Sequence, residues 1–202
     1  MKWRLVNRNP DTSTDEELLM AARSGDRRAF GQLVKRHAHR VATTAKGMLG
    51  DTAEAEDVSQ ETFVRLFHSL KTFRGESKLG TYLTRIAINL SINELRSRKR
   101  RDALYSSPGG RSYDAKHVAP EPVSEFEYDA TESRDAVRTA IASLKPRLRA
   151  VIVLRLIDGY STKETAGILK IPMGTVLSRL SRAQLKLKEL LAPHIGGGND
   201  ER

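Results

Sequence analysis

Apolar residues along this chain recur at spacings of three, four and seven, and no run alternates apolar with polar residues as a half-buried strand would. The pattern predicts an all-α protein. Thr14 followed by Glu17 forms a capping box, in which each side chain satisfies a free backbone donor of the other residue, and Gly25 would end the short helix that follows. Asp26 can cap the next. Phe30, Leu33, Val34, Val41, Ala45 and Met48 then line one stripe of a long helix that ends near Gly50. A third helix is predicted over about 52–70. A fourth follows the 71–78 loop, buries Leu79, Tyr82, Leu83, Ile86 and Leu90, and runs out in the basic stretch Arg96 to Arg101.

Between residues 102 and 130 the periodicity fails, and Pro108, Gly109, Gly110, Pro120 and Pro122 argue against any regular element. This stretch is predicted to be a flexible linker. About thirty residues of flexible coil span roughly 30 Å, enough for the flanking segments to reach separate places on one large target. Four more helical segments are expected over 131–193, with Pro146 suited to the first turn of the second. Ser161 and Glu164 make another capping box, ahead of a short helix over 162–169 and a break at Lys170-Ile-Pro172. The last helix, about 173–191, buries Val176, Leu180, Ala183, Leu187 and Leu190. Together these make a helix-turn-helix unit. The organisation expected is therefore two small helical domains, 14–101 and 131–193, joined by the linker and flanked by tails over 1–13 and 194–202.

Charge narrows the choice of partner. Lys and Arg number 35 against 25 Asp and Glu, a net charge of +10, which favours a polyanionic partner such as nucleic acid or an acidic membrane surface. Residues 1–101 hold 20 basic and 12 acidic side chains, 102–131 hold 2 and 6, and 132–202 hold 13 and 7. Two basic blocks thus flank an acidic stretch. There is no cysteine, so no disulfide framework, thiolate nucleophile or cysteine-based zinc site arises, in keeping with a reducing compartment. Residues 1–11 contain no apolar core of signal-peptide length, and no strictly apolar run is longer than Ala150 to Leu154, a length matched by Leu18 to Ala22. A cytoplasmic protein without membrane insertion is expected.

Nothing in the chain assembles a catalytic site. His37 and His39 lie two apart on a helix and face different ways, while His68, His117 and His194 are scattered. No phosphate-cradling glycine loop precedes a helix, and Gly196 to Gly198 lie in a polar tail. Asp57 and Glu61, four apart, have the spacing to share a metal, but surface or docking carboxylates are far commoner. No cofactor, no metal and no enzymatic activity are expected.

Three faces carry candidate binding chemistry. On the last helix, at 100 degrees per residue, Thr175, Arg179, Arg182 and Lys186 fall in a narrow strip beside the apolar stripe, with Ser178 just beyond. Arg can bridge guanine acceptors, and Ser, Thr and Lys reach base edges or phosphates in a major groove. On the fourth helix Arg85, Asn89 and Arg96 form a second strip, continuous with the basic run to Arg101. The loop before it, with Phe73, Arg74, Ser77 and Lys78, joins an aromatic ring to basic and hydroxyl groups, the chemistry that holds an unstacked base. An ordinary helix connection with Phe73 in the core is the plainer alternative. The third helix differs: Val58, Phe63, Leu66, Phe67 and Leu70 share its apolar side, while Glu54, Asp57, Gln60, Glu61, Val64 and His68 point the other way. An acidic outward face repels DNA and fits a protein docking surface; carboxylates complementing the helix dipole are the alternative.

The motifs carry a resemblance. Ala55-Glu-Asp-Val-Ser-Gln-Glu-Thr-Phe63, Phe73-Arg-Gly-Glu-Ser77, Thr81-Tyr-Leu-Thr-Arg-Ile-Ala-Ile-Asn89 and Gly174-Thr-Val-Leu-Ser-Arg-Leu-Ser-Arg-Ala183 resemble the extracytoplasmic-function (ECF) class of bacterial RNA polymerase sigma factors, over almost all of residues 15–191. The resemblance implies a sigma region 2 helical bundle and a sigma region 4 helix-turn-helix domain. It implies that Asp57, Gln60 and Glu61 grip the beta-prime clamp helices of core RNA polymerase, and Glu54 and Val64, on the same outward face, are expected to join that polymerase-binding surface. Residues 73–78 match the loop that captures a flipped base of the minus-ten element, and Asn89 lies where a base-reading side chain is expected. Thr175, Ser178, Ser181 and Arg182 match readers of the minus-thirty-five element. The implied partners are core RNA polymerase, through the clamp helices and the beta flap, promoter DNA, and an anti-sigma factor. The acidic linker resembles the segment threaded towards the polymerase active centre.

Departures limit the transfer. Tyr82 stands where Trp is commonest, Leu177 replaces a usual Lys or Arg, and Lys170 occupies a turn position usually given to Gly. If Lys170 adopts positive φ, the cost is on the order of 1 kcal/mol. The linker is longer than in many relatives. A stand-alone helix-turn-helix regulator is the main rival, and it predicts tight, sequence-selective binding without polymerase. A sigma-mimicking decoy need not keep both basic strips, and this chain keeps them.

Overall fold

The computed structural model describes residues 13–105 and 125–195; most of the expected N-terminal tail, the middle of the expected linker and residues 196–202 lie outside the described residues. Among the described residues the structure is helical throughout, with no strand. The first unit contains α1 (Asp15–Arg23), α2 (Arg27–Leu49), α3 (Ala53–Ser69) and α4 (Leu79–Tyr105). The second contains α5 (Glu125–Ser143), α6 (Pro146–Ile152), a π-helical turn (Val153–Ile157), α7 (Thr162–Leu169) and α8 (Met173–Ile195). Both expected capping boxes form, Thr14 with Glu17 and Ser161 with Glu164, and Asp26 accepts from the amides of Arg28 and Ala29. Pro146 opens α6, where its missing N–H leaves no bond unmade.

Three helices run further than their patterns predicted, among them α8, which reaches Ile195 with Pro193 inside it. α4 continues to Tyr105 because Arg101 to Leu104 contain no breaker, and Arg101 is tied back to Glu94 by a 2.7 Å ion pair. α5 starts at Glu125 inside the stretch predicted to lack regular structure. After Pro122 no proline or glycine remains to interrupt it, and its first turn is acidic, which suits a helix N-terminus.

The first unit packs α1–α4 around Leu18, Leu19, Leu33, Val41, Leu66 and Leu83, all buried, with Phe30, Phe63 and Tyr82 against them. Asp15 pins α1 to α2 through Arg36 and His37, each at 2.8 Å. One expectation fails here. Phe67, assigned by periodicity to the apolar side of α3, is 54% exposed and rests edge-on against Phe30 at a centroid distance of 5.2 Å. It lines an open cleft with the end of α1 and the start of α2, which meet it without covering it. In the second unit, Leu144, Ile152 and Ala183 form one cluster and Val151, Ala166 and Val176 another, on either side of α6.

The two units are packed together. A shared core joins Ala45, Met48, Leu49, Val58 and Ile88 of the first to Ala150, Val153, Leu154, Tyr160 and Ile168 of the second. Gly47 permits the closest approach, since a Cβ there would lie 3.1 Å from both Val153 methyl groups. Polar groups lock the seam. Thr84 and Tyr160 share a 2.9 Å hydrogen bond between hydroxyls, and Arg85 donates to the Gly167 carbonyl at 3.2 Å. The buried Arg149 donates to the Met48 carbonyl of α2 at 2.6 Å, and to the Ala142 and Leu144 carbonyls of its own unit.

Asp158 makes this seam sensitive to protons. Its carboxylate lies 2.8 Å from the Thr44 hydroxyl, which is also 3.0 Å from the Arg40 carbonyl. One hydroxyl proton cannot serve both acceptors, so a protonated carboxyl satisfies the trio best. Burial pushes the Asp158 pKa up, and the Thr44 hydrogen bond and the Arg40 charge oppose it without reversing it. Between the ordinary Asp value and the raised one, the packed form binds more proton than the separated form. Packing therefore tightens as the pH falls through the raised value and is penalised above it. Asp158→Asn is expected to raise the thermal midpoint at pH 7 and to flatten its pH dependence below neutrality. Calorimetry from pH 4.5 to 7.5 checks this; parallel curves for the two proteins would contradict it.

Candidate nucleic-acid and protein interfaces

On α3 the outward carboxylates divide into two kinds. Glu54 is half-buried and bound to Arg98 at 2.7 Å, and it is held below the usual range by its own backbone amide and, against partial burial, by Arg98. It ties α3 to α4. Asp57 and Gln60 are exposed and have no hydrogen-bond or ion-pair partner among the described residues. Glu61 meets only Arg65, one turn on, at 2.9 Å, and Val64 beside them is 46% exposed. A polar, acidic face with an apolar side chain in its middle is thus free to meet a partner.

The loop between α3 and α4 brings the aromatic and basic groups of the sequence together. Phe73 is half-buried, its ring 4.8 Å from that of Tyr82, and the Tyr82 hydroxyl donates to Ser69 at 3.1 Å. Arg23 of α1 steadies the loop by donating to the carbonyls of Leu70, at 2.8 Å, and Phe73. Phe73 packs against the core and also lines an open cleft of about 430 Å³ with residues 72–77, Tyr82 and Arg85. Arg74 and Lys78 are exposed at this loop and Ser77 is half-buried. Further along α4, Asn89 and Arg96 are exposed. Arg85 is different, because its guanidinium bonds the Gly167 carbonyl of α7 while it also lines the cleft, so it is shared between that cleft and the other unit. Sequence periodicity placed Arg85 beside Asn89 without knowledge of that second unit. The signal that would have shown it is the run Ile86-Ala-Ile88, which gives α4 two apolar faces where one partner needs only one.

The second unit presents α8 behind α7, across a turn at Lys170, whose φ of 52° lies in the left-handed region. This is the positive φ that the sequence raised, carried by a side chain with a cost on the order of 1 kcal/mol relative to glycine. Val176 and Ala183 are buried, with Leu180 and Leu187 packed beside them, so the opposite side of α8 is open. There Ser178, Ser181, Arg182 and Lys186 are exposed, and Thr175 and Arg179 are half-buried. Arg182 lies back along the helix, its Nε donating to the Ser178 carbonyl at 3.1 Å and Nη2 to the Ser178 hydroxyl at 3.3 Å. Lys186 pairs with Glu189 at 2.9 Å. These are surface interactions that a phosphate or base edge can replace at little cost. The described residues contain no cluster of three or more metal-ligating side chains, and no helix long and apolar enough to cross a membrane.

The family model described as Sigma-70 region 2 matches residues 33–101, and that described as Sigma-70, region 4 matches residues 134–187. The chain is 33% identical over 182 residues to the RNA polymerase sigma-H factor of Pseudomonas aeruginosa, covering 89% of this chain and 94% of that one. It is 35% identical over 189 residues to the ECF RNA polymerase sigma-E factor of Escherichia coli strain K12, covering 90% and 96%. Among solved structures, CnrH in complex with the cytosolic domain of CnrY superposes with a TM-score of 0.64 at 29% identity, over 90% of this chain and 99% of that one. The sigma factor RpoE in complex with the anti-sigma factor NepR, from Bartonella quintana, gives 0.60 at 25% identity, over 81% and 96%.

Proposed function

Because the chain belongs to the ECF class of the sigma-70 family, and so acts as a sigma factor that directs core RNA polymerase to promoters and assists their melting, we propose that it divides this work among three surfaces. The exposed face of α3, with Asp57, Gln60, Glu61 and Val64, docks on the beta-prime clamp helices. The cleft at Phe73 and Tyr82, with Arg74, Ser77, Lys78, Asn89 and Arg96, holds the minus-ten element and a base flipped from it. The open side of α8, with Thr175, Ser178, Arg179, Ser181, Arg182 and Lys186, reads the minus-thirty-five element. The second unit also takes the beta flap. The chain performs no covalent chemistry and works in the cytoplasm, where an anti-sigma factor holds it inactive, as the complexed relatives suggest.

One observation carries this division: α3 turns outward Asp57, without a partner among the described residues, and Glu61, bound to its neighbour Arg65, while exposed cations and hydroxyls stand at the loop and on α8. DNA is repelled by the first and attracted by the others. Arg85 joins the downstream surface only when its bond to Gly167 is released, so full engagement of the minus-ten element and the packed seam compete. The deciding experiment is transcription by purified core polymerase, with and without the full chain, on a promoter library. A defined set of transcripts is expected only with the chain present; tight promoter binding by the chain alone would favour a stand-alone regulator. Within that assay Arg182→Ala should lose about 1–3 kcal/mol of selectivity at the upstream element. Unchanged promoter choice would remove Arg182 from the reading surface.

A further inference from the structure

We infer that Leu177 is a specificity-determining residue of the DNA-reading helix, where its side chain contacts the 5-methyl group of a thymine in the upstream promoter element. This rests on the placement of α8 in a major groove proposed above. The open side of α8 carries two parallel ridges. One is polar and basic, with Ser178, Arg182 and Lys186 at successive four-residue steps. The other is largely apolar, with Met173, Leu177 and Leu185 interrupted by Ser181. Leu177 is 55% exposed and Met173 54%, although the buried side of the same helix offers a core that takes Val176 and Leu180.

Leu177 stands in the second turn of α8, and the first turns of such a helix enter the groove deepest. Arg182 folds back over Ser178 and leaves this flank uncovered. In the major groove guanine, adenine and cytosine present only donors and acceptors, whereas thymine adds an apolar methyl group. A leucine side chain can satisfy none of the polar edges, so against those bases it strips water from groups that then lack a partner. Against thymine it buries apolar surface on both sides. One side chain thus attracts one base and rejects three. Arg182 and Lys186 on the parallel ridge suit a phosphate-flanked groove better than an apolar protein partner.

The test uses holoenzyme assembled from core polymerase and the full chain, on a duplex promoter selected from a library, with closed-complex affinity measured at one fixed salt concentration. Each thymine of the upstream element is replaced in turn by deoxyuridine, which removes only the methyl group. At one position the wild-type chain should lose about fourfold in affinity, the size expected for one buried methyl group. Leu177→Ala should show less than about twofold difference between the two bases there, with an unchanged melting temperature because the site is exposed. Leu177→Gln should prefer adenine at that position. If every deoxyuridine promoter binds wild type as tightly as its thymine parent, while Arg182→Ala still alters promoter choice, Leu177 is no reader and α8 keeps its role. If neither deoxyuridine nor Arg182→Ala changes binding, the placement of α8 in the groove falls as well. A loss of core-polymerase binding by Leu177→Ala, with no change in base preference, would assign the residue to a protein contact and overturn the proposal.

Discussion

Changing both Asp57 and Glu61 to lysine is expected to weaken binding to core RNA polymerase more than a hundredfold and to abolish promoter-directed transcription, while the melting temperature falls by only a degree or two. The two consequences separate because the structure holds these carboxylates in the fold by so little. Asp57 is exposed and unpartnered among the described residues, and Glu61 has only its surface bond to Arg65, of a type that contributes about 0.3–0.5 kcal/mol. The dipole of α3 adds little for Asp57, which lies beyond the first turn that holds Glu54 and Glu56. Docking costs are on a different scale. Cations set against a surface that selects anions lose several kcal/mol, and about 3 kcal/mol is already more than a hundredfold in affinity. Association of the wild-type chain should also slow as salt is raised, since exposed charges steer the encounter. Titration of fluorescent chain with core polymerase, alongside thermal melts, measures both quantities. If the melt drops sharply and core affinity holds, the acidic face serves the helix and not a partner. Glu54 is left out of this pair deliberately, because its bond to Arg98 would confound a docking defect with a loosened α3.

Most of each separate unit could be read from the chain. Capping boxes at Thr14 and Ser161, the Asp26 cap, Pro146 at a helix start and the strained turn at Lys170 are local events, decided by residues within four positions of one another, and all form as the local chemistry requires. The stripes on α2 and α8 likewise need only a period. What could not be read is how the units meet. Two small domains on a flexible linker account equally well for the sequence whether the domains touch or not, because the same apolar positions on α4 serve either case until a partner surface is specified. Ile88 and Val153 become core only through each other's helices, across 64 intervening residues. Arg85 bonds across the seam for that reason, and Phe67 moved from core to surface because helix periodicity says which side faces inward but not how far that side is covered. The proposed binding surfaces were more legible than the seam, since they consist of side chains that the fold leaves alone.

Arg149 shows what the seam demands of a single buried residue, and Arg149→Met is expected to cost about 3 kcal/mol of stability and to uncouple the two units. The guanidinium sits where two helices end: Met48 lies in the last turn of α2, and Ala142 and Leu144 bracket the end of α5. Helix C-termini carry carbonyls without intrahelical donors and a partial negative charge, and one planar fork answers both at once. Burial, and then repulsion from Arg98, disfavour its charged form, yet arginine does not give up its proton inside proteins, so the penalty is borne in exchange for three carbonyl bonds. Methionine fills a similar volume and donates nothing. It leaves the Met48, Ala142 and Leu144 carbonyls short of a donor while relieving the buried charge, and charge-assisted hydrogen bonds of about 1.5–3 kcal/mol each set the scale before that relief. The Met48 bond joins the units and the other two close the second unit, so the variant weakens the packing of the first against the second as well as the second itself. Urea unfolding should change from one cooperative transition to two, the earlier belonging to residues 125–195. Lysine at 149 should recover less than half of the loss, because an ammonium on a flexible stem cannot span three carbonyls held in a fixed fan. A single transition at the wild-type midpoint would show that apolar contacts such as Gly47 against Val153 hold the units together without the guanidinium.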